Sequence, residues 1–541
     1  MADLLIKNIT IIDGTGAPAF VSDLAITGEK ISHLDKNLDL EAGEILDGTG
    51  LCLSPGFIDI HTHSDFTLLL APEAHSRVCQ GVTTEVTGNC GGSPGPIGRT
   101  HRKAFMEYMT DLGGYYKREF KDRDWHWQGL DQFFQALAAK GTSVNLVPLV
   151  GHSTLRAHVM GYEGRGPDRD EMGSMKTLLE QELEAGAFGF SSGLIYHPGA
   201  FAGTRELAEL AGVTAKFGGL YSTHMRSEGK FLFEAVDEAV EVARDSGVSL
   251  EISHLKCETP VLWGKSGQLL EKIQAARDSG INVNFDQYPY TAYFTGLLEI
   301  FPPWAKETGA TRLMETLATR PGREKVRRDM ACPPEEWDNP LEGLGFDHVR
   351  ILGFRNPDHR GFNGRTVADL SREMNLDPLE TVFELFCREK GGLGMVVFAM
   401  SEADLETILA HPLGMVGSDG SSATPGGPVG SSPVHPRFYG TFPRVLSRYV
   451  REKKVLFLET AIHKMTGMPA RKLGLKDRGV IREGMAADLV LFDPDTVKDR
   501  ADFTAPHQTP EGIAHVFVNG TRVVNHGDHT GARPGRRLSR G

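Results

Sequence analysis

Eight apolar runs, each closing on polar side chains, constrain the fold of this chain more than any other feature. They are FIDIHTH (57–63), VTTEVTGNCG (82–91), VNLVPLVGHS (144–153), AFGFSSGLIY (187–196), GLYSTHMR (219–226), SLEISHLK (249–256), INVNFDQYPY (281–290) and LGMVGSDG (413–420). Amphipathic stretches such as TRELAELAGVTAKFG and LFEAVDEAVEVARDSG lie between several of them. A run buried on both faces reads as continuous apolar sequence, and alternation with helices is the pattern of parallel strands. Eight such units predict an α/β fold, a (β/α)8 TIM-type barrel, in which function collects at the C-terminal ends of the strands.

The regions outside the runs complete the architecture. Residues 1–53 and 475–541 read as short strands with turn pairs such as Asp13-Gly14, Asp47-Gly48 and Asn519-Gly520. Two β-rich ends can share one small β-sandwich domain if the body between them, residues 54–474, brings its termini together. The stretch 289–413 before the eighth run is far too long for a βα loop and is expected to be an inserted subdomain or lid. The segment GSSATPGGPVGSSP (420–433), rich in Gly, Ser and Pro, is expected to be mobile.

Composition narrows the class of partner. The 541 residues carry 58 Lys and Arg against 71 Asp and Glu, a net charge of -13, which argues against nucleic acid and anionic membranes. No signal-type or membrane-length apolar run follows the N-terminus. The 6 cysteines show no CxxC pairing, the usage of a reduced cytoplasmic protein. Oligomeric state has no sequence signature here.

The chemistry starts at His61-Thr62-His63. Residues i and i+2 of a strand face the same way, so both imidazoles can converge on one ion. HxH alone is a modest signal, since strand ends are often polar. Position strengthens it: Cys90, His224, His254 and Asp419 also stand where runs end. Five nitrogen or sulfur donors and a carboxylate at one end of a barrel point to a metal, and a thiolate favours zinc over magnesium or calcium.

These residues resemble the amidohydrolase superfamily and, within it, the N-acyl-D-amino-acid deacylases (D-aminoacylases). The motifs are HTHSD after PGFID, GNCG around Cys90, STHMR, SHLK, GSDG, SSGLIYHPGAF, DQYPYTA followed by PPW, HPRFYGTFPRVL, and the ending GVIREGMAADLVLFD. The resemblance spans nearly the whole chain. It implies Cys90, His224 and His254 as tight zinc ligands, with His61, His63 and Asp419 forming a second position that is weakly filled or empty. It further implies Asp419 as catalytic base, Tyr196 as an oxyanion donor, and Lys256, Tyr288 and Arg437 as the receptor for the substrate carboxylate. Arg226 is expected to support the site from behind. Two departures stand out: Tyr293-Phe294-Thr295 replaces the small residues that often follow YPYTA in the family, and the 420–435 stretch is longer than in its shorter members.

The implied reaction is zinc-dependent hydrolysis of an N-acyl-D-amino acid, a small molecule, to a carboxylate and a free D-amino acid. Alternatives are a related amidohydrolase acting on a cyclic amide, a dipeptide or another N-acyl amine, and a non-catalytic scaffold on the same fold. Other motifs are set aside. Gly189-Phe190-Ser191-Ser192-Gly193 fits GxSxG, but no helix follows the turn at once, as a nucleophile elbow requires. Gly264-Lys265-Ser266 lacks the first P-loop glycine, since Thr259 stands there. His152, His197 and the Trp125-His126-Trp127 cluster are expected to pack or line a rim. Cys52, Cys79, Cys257, Cys332 and Cys387 are expected to be buried apolar groups.

Overall fold

The computed structural model describes residues 1–98, 100–102, 105, 127–307, 309–333, 337–430 and 433–540. Trp125 and His126 lie outside them, whereas Trp127 is buried and donates its indole N–H to the Pro94 carbonyl.

The eight apolar runs form parallel strands in chain order. Phe57–Asp59 pairs with Val82–Thr87, which pairs with Asn145–Pro148; Val150–Gly151 continues that third strand and pairs with Gly189–Gly193. Leu220–His224, Ser249–Ile252, Val283–Gln287 and Gly414–Val416 follow, each parallel to its predecessor. The eighth strand returns to the first: Asp419 N–H donates to His61 O at 2.8 Å, His63 N–H donates to Gly420 O at 2.8 Å, and Thr62 bridges Gly420 in parallel. The barrel therefore closes through the candidate ligands' own backbone. The barrel's own strands, all among the described residues, thus leave no open edge.

Helices cover the outside because their apolar stripes match the strands beneath. Leu207, Leu210 and Ala211 of Thr204–Lys216 and Leu232, Val236 and Ala239 of Leu232–Ser246 are buried. Helix Arg169–Glu184 starts with a reciprocal cap, Asp168 accepting from Glu171 N–H and Glu171 from Asp168 N–H. Helix Ser266–Asp278 begins with Gly264 and Ser266 N–H donating to the Asp404 carboxylate, so no anion site remains at the Gly264-Lys265-Ser266 stretch.

Both chain ends enter one nine-stranded sheet. Ala2–Ile11 pairs with Phe20–Thr27, Ala42–Asp47 and Cys52–Pro55, and Leu489–Phe492 runs antiparallel to Cys52–Pro55, joining N- and C-terminal strands. At the hairpin between Ile513–Val518 and Thr521–Asn525, Asn519 and Gly520 take φ of 47° and 76°, the left-handed pair that a two-residue turn demands. A Cβ on Gly520 would lie 2.0 Å from Gly28 O, so the turn accepts glycine alone.

The long connection before the eighth strand carries its own core, including Phe301, Leu313, Phe383 and Phe386, and its own antiparallel sheet. In that sheet Tyr293–Gly296 and Val349–Leu352 flank Gly394–Val397. Helix Glu402–Ala410, which follows, packs on helix Ser266–Asp278 and on the eighth strand.

Two expectations need correction. The first part of the Gly/Ser/Pro-rich stretch is buried rather than loose: Ser421 Oγ donates to His63 O, Ser422 N–H to Ser64 Oγ and Ala423 N–H to Ser76 Oγ. Of the cysteines expected to be buried, Cys332, just past the end of helix Arg320–Ala331, is exposed, and Cys387, in the last turn of helix Pro378–Arg388, is only half-buried. Among the described residues, no helix is long and apolar enough to cross a membrane.

Candidate metal and active site

Each candidate donor sits just beyond or at the end of a barrel strand. His61 and His63 follow the first, with ring centroids 5.4 Å apart. Cys90 Sγ lies 3.3 Å from His61 Nε2 and 3.5 Å from His254 Nε2. His224 ends the fifth strand and its ring stands 4.5 Å from that of His254. Asp419 Oδ1 is 3.0 Å from His63 Nε2 and 3.7 Å from His61 Nε2.

Three overlapping trios have ligand atoms within 4.8 Å of one another: His61, Cys90 and His254; His61, His63 and Asp419; and His224, Glu228 and His254. All six sequence candidates are therefore brought together. Cys90 makes its close contacts to His61 and His254, and His61 belongs to two trios, so the split into a tight and a weak set is less sharp than the family pattern implies.

The backbone is bent to place these groups. Cys90, His254 and Asp419 adopt φ of 50°, 36° and 50°, left-handed values that cost an L residue roughly 1–3 kcal/mol each. Three of the six donors therefore carry backbone strain. Neither ring nitrogen of buried His224 makes a hydrogen bond within 3.5 Å, Glu228 Oε2 standing 3.6 Å from Nε2, an arrangement that suits an imidazole whose lone pair is given to an ion.

Electrostatics follow from crowding. Burial alone would raise the Cys90 thiol, but the imidazoles of His61 and His63 outweigh it and hold the thiol well below its ordinary value. Asp419, equally buried, is held well below the carboxylate range by Arg437 and by its bond from His63. Two acceptors that sequence reading missed orient the imidazoles. Asp286 Oδ2 sits 3.3 Å from His61 Nδ1 while Oδ1 accepts from His254 N–H at 3.0 Å. Glu228 Oε1 lies 2.8 Å from His254 Nδ1 and also pairs with Lys256. Such carboxylates fix the ring orientation of ligating histidines. Asp286 is the last residue but one of the seventh strand and obeys the rule that located the others; Glu228 lies in a loop and carries no sequence signal.

The trios open into a cavity of about 890 Å³, also lined by Tyr196, Lys256, Tyr288 and Arg437. Arg437 Cζ and Lys256 Nζ lie 5.0 and 5.7 Å from the centroid of the Tyr288 ring, whose hydroxyl has no hydrogen-bond partner. Arg437 lies 2.8 Å from Asp419 Oδ2 and donates to Phe294 O; its backbone N–H donates to His435 Nδ1 while His435 Nε2 faces Ala292 O. Tyr196 has its hydroxyl 3.3 Å from Thr295 Oγ1 and its ring 5.1 Å from that of His224. Arg226 lines the wall, bonded through two nitrogens to Glu238.

The residues set aside have structural partners. Ser191 is buried, its hydroxyl donating to Gly88 O and accepting from Gly91 N–H, with only a 3-10 turn at Gly199–Phe201 before the next α-helix at Thr204. His152 pairs with Glu206 at 2.8 Å, and His197 packs on Phe201 at the cavity wall.

A closed parallel barrel with buried imidazoles, a thiol and a carboxylate at its strand ends defines a metal-dependent hydrolase site. The chain matches the Amidohydrolase family over residues 44–317 and 337–524. It is 36% identical to N-acyl-D-aspartate deacylase of Alcaligenes xylosoxydans xylosoxydans, across 100% of this chain and 95% of the relative. It is 35% identical to D-aminoacylase of the same organism, across 99% of this chain and 98% of the relative. Among solved structures it is similar to N-acyl-D-glutamate deacylase from Bordetella bronchiseptica, complexed with zinc and a phosphonate mimic of the tetrahedral intermediate. The TM-score is 0.81, with 33% identity across 100% of both chains. The chain belongs to the amidohydrolase family, and within it to the N-acyl-D-amino-acid deacylases.

Proposed function

We propose that this protein is a zinc-dependent deacylase that hydrolyses the linear amide of an N-acyl-D-amino acid. Water adds to the acyl carbon, the C–N bond breaks, and the products are a carboxylate and a D-amino acid that has gained the proton on its nitrogen. The observation that carries this reading is the convergence of His63, Cys90, His224, His254 and Asp419 on one cavity floor beside Arg437, with His61 fully buried in contact with Cys90 and Asp419.

The donor set fits zinc. It offers one thiolate and imidazoles, and neither buried nitrogen of His224 is taken up by a hydrogen bond. Cys90, His224 and His254 would hold the tight ion, and His61, His63 and Asp419 a second, weaker position. A zinc ion held there supplies Lewis acidity, polarising the acyl carbonyl and acidifying water toward a pKa of ~7.

The remaining work belongs to the chain. Asp419 accepts the proton of the attacking water and hands it to the leaving nitrogen, which departs poorly as an anion. Tyr196 is positioned as the oxyanion donor; burial and the nearby Cys90 keep its phenol well above its ordinary pKa, so it retains the proton it must donate. Arg437 and Lys256, both beside the Tyr288 ring, receive the substrate α-carboxylate. A binding α-carboxylate would share the Arg437 guanidinium with Asp419.

The thiol usage supports a cytoplasmic setting. The test is a turnover screen of paired D and L N-acetyl amino acids, together with zinc analysis of the purified protein. D-selective hydrolysis with at least one zinc per chain is expected. Zinc-free protein inert on every member overturns the reading.

A further inference from the structure

The left-handed turn that carries Asp419, at φ 50°, is held by groups outside the cavity. Ser418 N–H donates to Asp59 Oδ1 at 2.8 Å, and Gly420 N–H donates to Ser418 Oγ at 3.1 Å. The same Ser418 Oγ accepts from Arg77 Nη1 at 2.9 Å. Arg77 also stands 3.4 Å from Asp59 Oδ2 through Nη1 and 3.1 Å from Glu85 Oε1 through Nε. A Cβ on Gly420 would fall 2.5 Å from Arg77 Nη2, so the glycine admits the guanidinium against the backbone next to Asp419.

Arg77 belongs to the short helix His75–Val78, which packs on the second barrel strand. From there it reaches three strands at once: Asp59 of the first, Glu85 of the second and Ser418 just beyond the eighth. This is the seam at which the barrel closes. Asp59, Arg77, Glu85 and Ser418 are all fully buried, and none of them lines the cavity.

Two carboxylates and a guanidinium in such a place are a poor means of gaining stability. Their loss of water offsets their attraction, and apolar residues of similar volume serve a core as well or better. What an arginine supplies is direction, because its planar fork of donors fixes partners in angle as well as distance. The partner fixed here is the turn around Asp419. The far side of the turn is tied to the same cluster: Glu85 accepts from Ser64 Oγ at 2.8 Å and from Ser422 Oγ at 3.2 Å, and Ser422 N–H donates to Ser64 Oγ.

Resting on the deacylase reading, we infer that Arg77 is a positioning residue for that reaction: through Ser418 and Gly420 it holds the Asp419 carboxylate where it takes the proton of the attacking water. Arg77 touches neither substrate nor reacting atoms, so its contribution falls on turnover rather than on binding.

The test uses the zinc-loaded full chain and the N-acetyl-D-amino acid that the wild type turns over fastest. Arg77→Lys keeps the charge and loses the fork. Its kcat is expected to fall ~100-fold, the scale of displacing a reacting group by about 1 Å, with KM within ~3-fold and zinc content unchanged. Added to Asp419→Asn, which has already lost the base, the same substitution is expected to cost less than ~3-fold more, because residues that act through one group do not add. A purely structural role would repeat its full cost in that background. Wild-type kcat in folded Arg77→Lys, or an undiminished loss on top of Asp419→Asn, overturns the assignment and leaves the deacylase reading standing. Ser418→Ala removes the shared acceptor without unpairing a buried charge, and is expected to lower kcat ~10-fold, again absorbed by Asp419→Asn. If Arg77→Lys does not fold, wild-type kcat in Ser418→Ala is the result that overturns the link. A zinc-loaded wild type inert on every N-acetyl-D-amino acid overturns both readings.

Discussion

The cavity has two kinds of wall, and they are built by different parts of the fold. Its floor is made of strand ends: His61, Cys90, His224, His254 and Asp419 come from five barrel strands, and the hydrogen bonds that close the barrel run through His61 and Asp419 themselves. Its side is the strand Tyr293–Gly296, which belongs to a separate sheet with a separate core. The floor cannot move without opening the barrel, whereas the side can change residue by residue without touching barrel closure. Reaction and substrate choice are thereby placed on separate structural footings. Substitutions on the floor should cost every substrate alike, and substitutions on the side should redistribute preference among substrates.

The largest effect tests the floor. Asp419→Asn removes the base while leaving Cys90, His224 and His254, so kcat should fall by ~1,000-fold for every substrate with zinc content unchanged. Undiminished turnover would remove Asp419 from its role. Cys90→Ala should lower zinc affinity by at least ~100-fold, read by competition with a chelator, because the thiolate is the only soft ligand in the set. Unchanged zinc retention would mean that the imidazoles alone suffice.

Arg437→Met stands between the two walls, since Arg437 touches both Asp419 and the Phe294 carbonyl. Its loss should raise KM for N-acetyl-D-leucine by ~100-fold, the usual scale for losing one partner of a buried ion pair. An N-acyl amine lacking the carboxylate should be affected far less. Equal losses on both substrates would make Arg437 a scaffold for Asp419 rather than a substrate contact.

This division also explains what could be read from sequence. The floor was legible because a parallel strand buried on both faces has an unmistakable apolar run, and the donors stand at its end, as in GNCG and GSDG. Asp286 was within reach by the same rule. Glu228 was not, because it arrives from a loop whose path is set by tertiary contacts with His254 and Lys256. The buried course of Ser421 to Ala423 was hidden for a related reason: Gly, Ser and Pro look like linker, and only the three-dimensional partners His63 O, Ser64 Oγ and Ser76 Oγ show that the segment is tied down. The side wall was visible as an oddity, Tyr293-Phe294-Thr295, without a meaning until the inserted sheet placed it against Arg437 and Tyr196.

The smallest predicted effect sharpens the comparison most finely, because it concerns a group that joins floor to side. Glu258 follows the sixth strand and is bonded with Tyr293 of the inserted strand. Burial first, and the neighbouring Glu228 next, raise its carboxyl to about 8, so below that pH it is a neutral donor much like a glutamine. Glu258→Gln should therefore change kcat/KM for N-acetyl-D-leucine by less than about twofold at pH 7, where variant and wild type carry the same charge. As pH rises through 8 the wild-type carboxyl ionises and places a negative charge on the cavity wall, which the glutamine cannot do. The ratio of variant to wild-type kcat/KM should then climb above pH 8, and dividing one profile by the other cancels titrations common to both. A ratio that stays flat from pH 6 to pH 9.5 would show that Glu258 does not ionise within reach of the substrate.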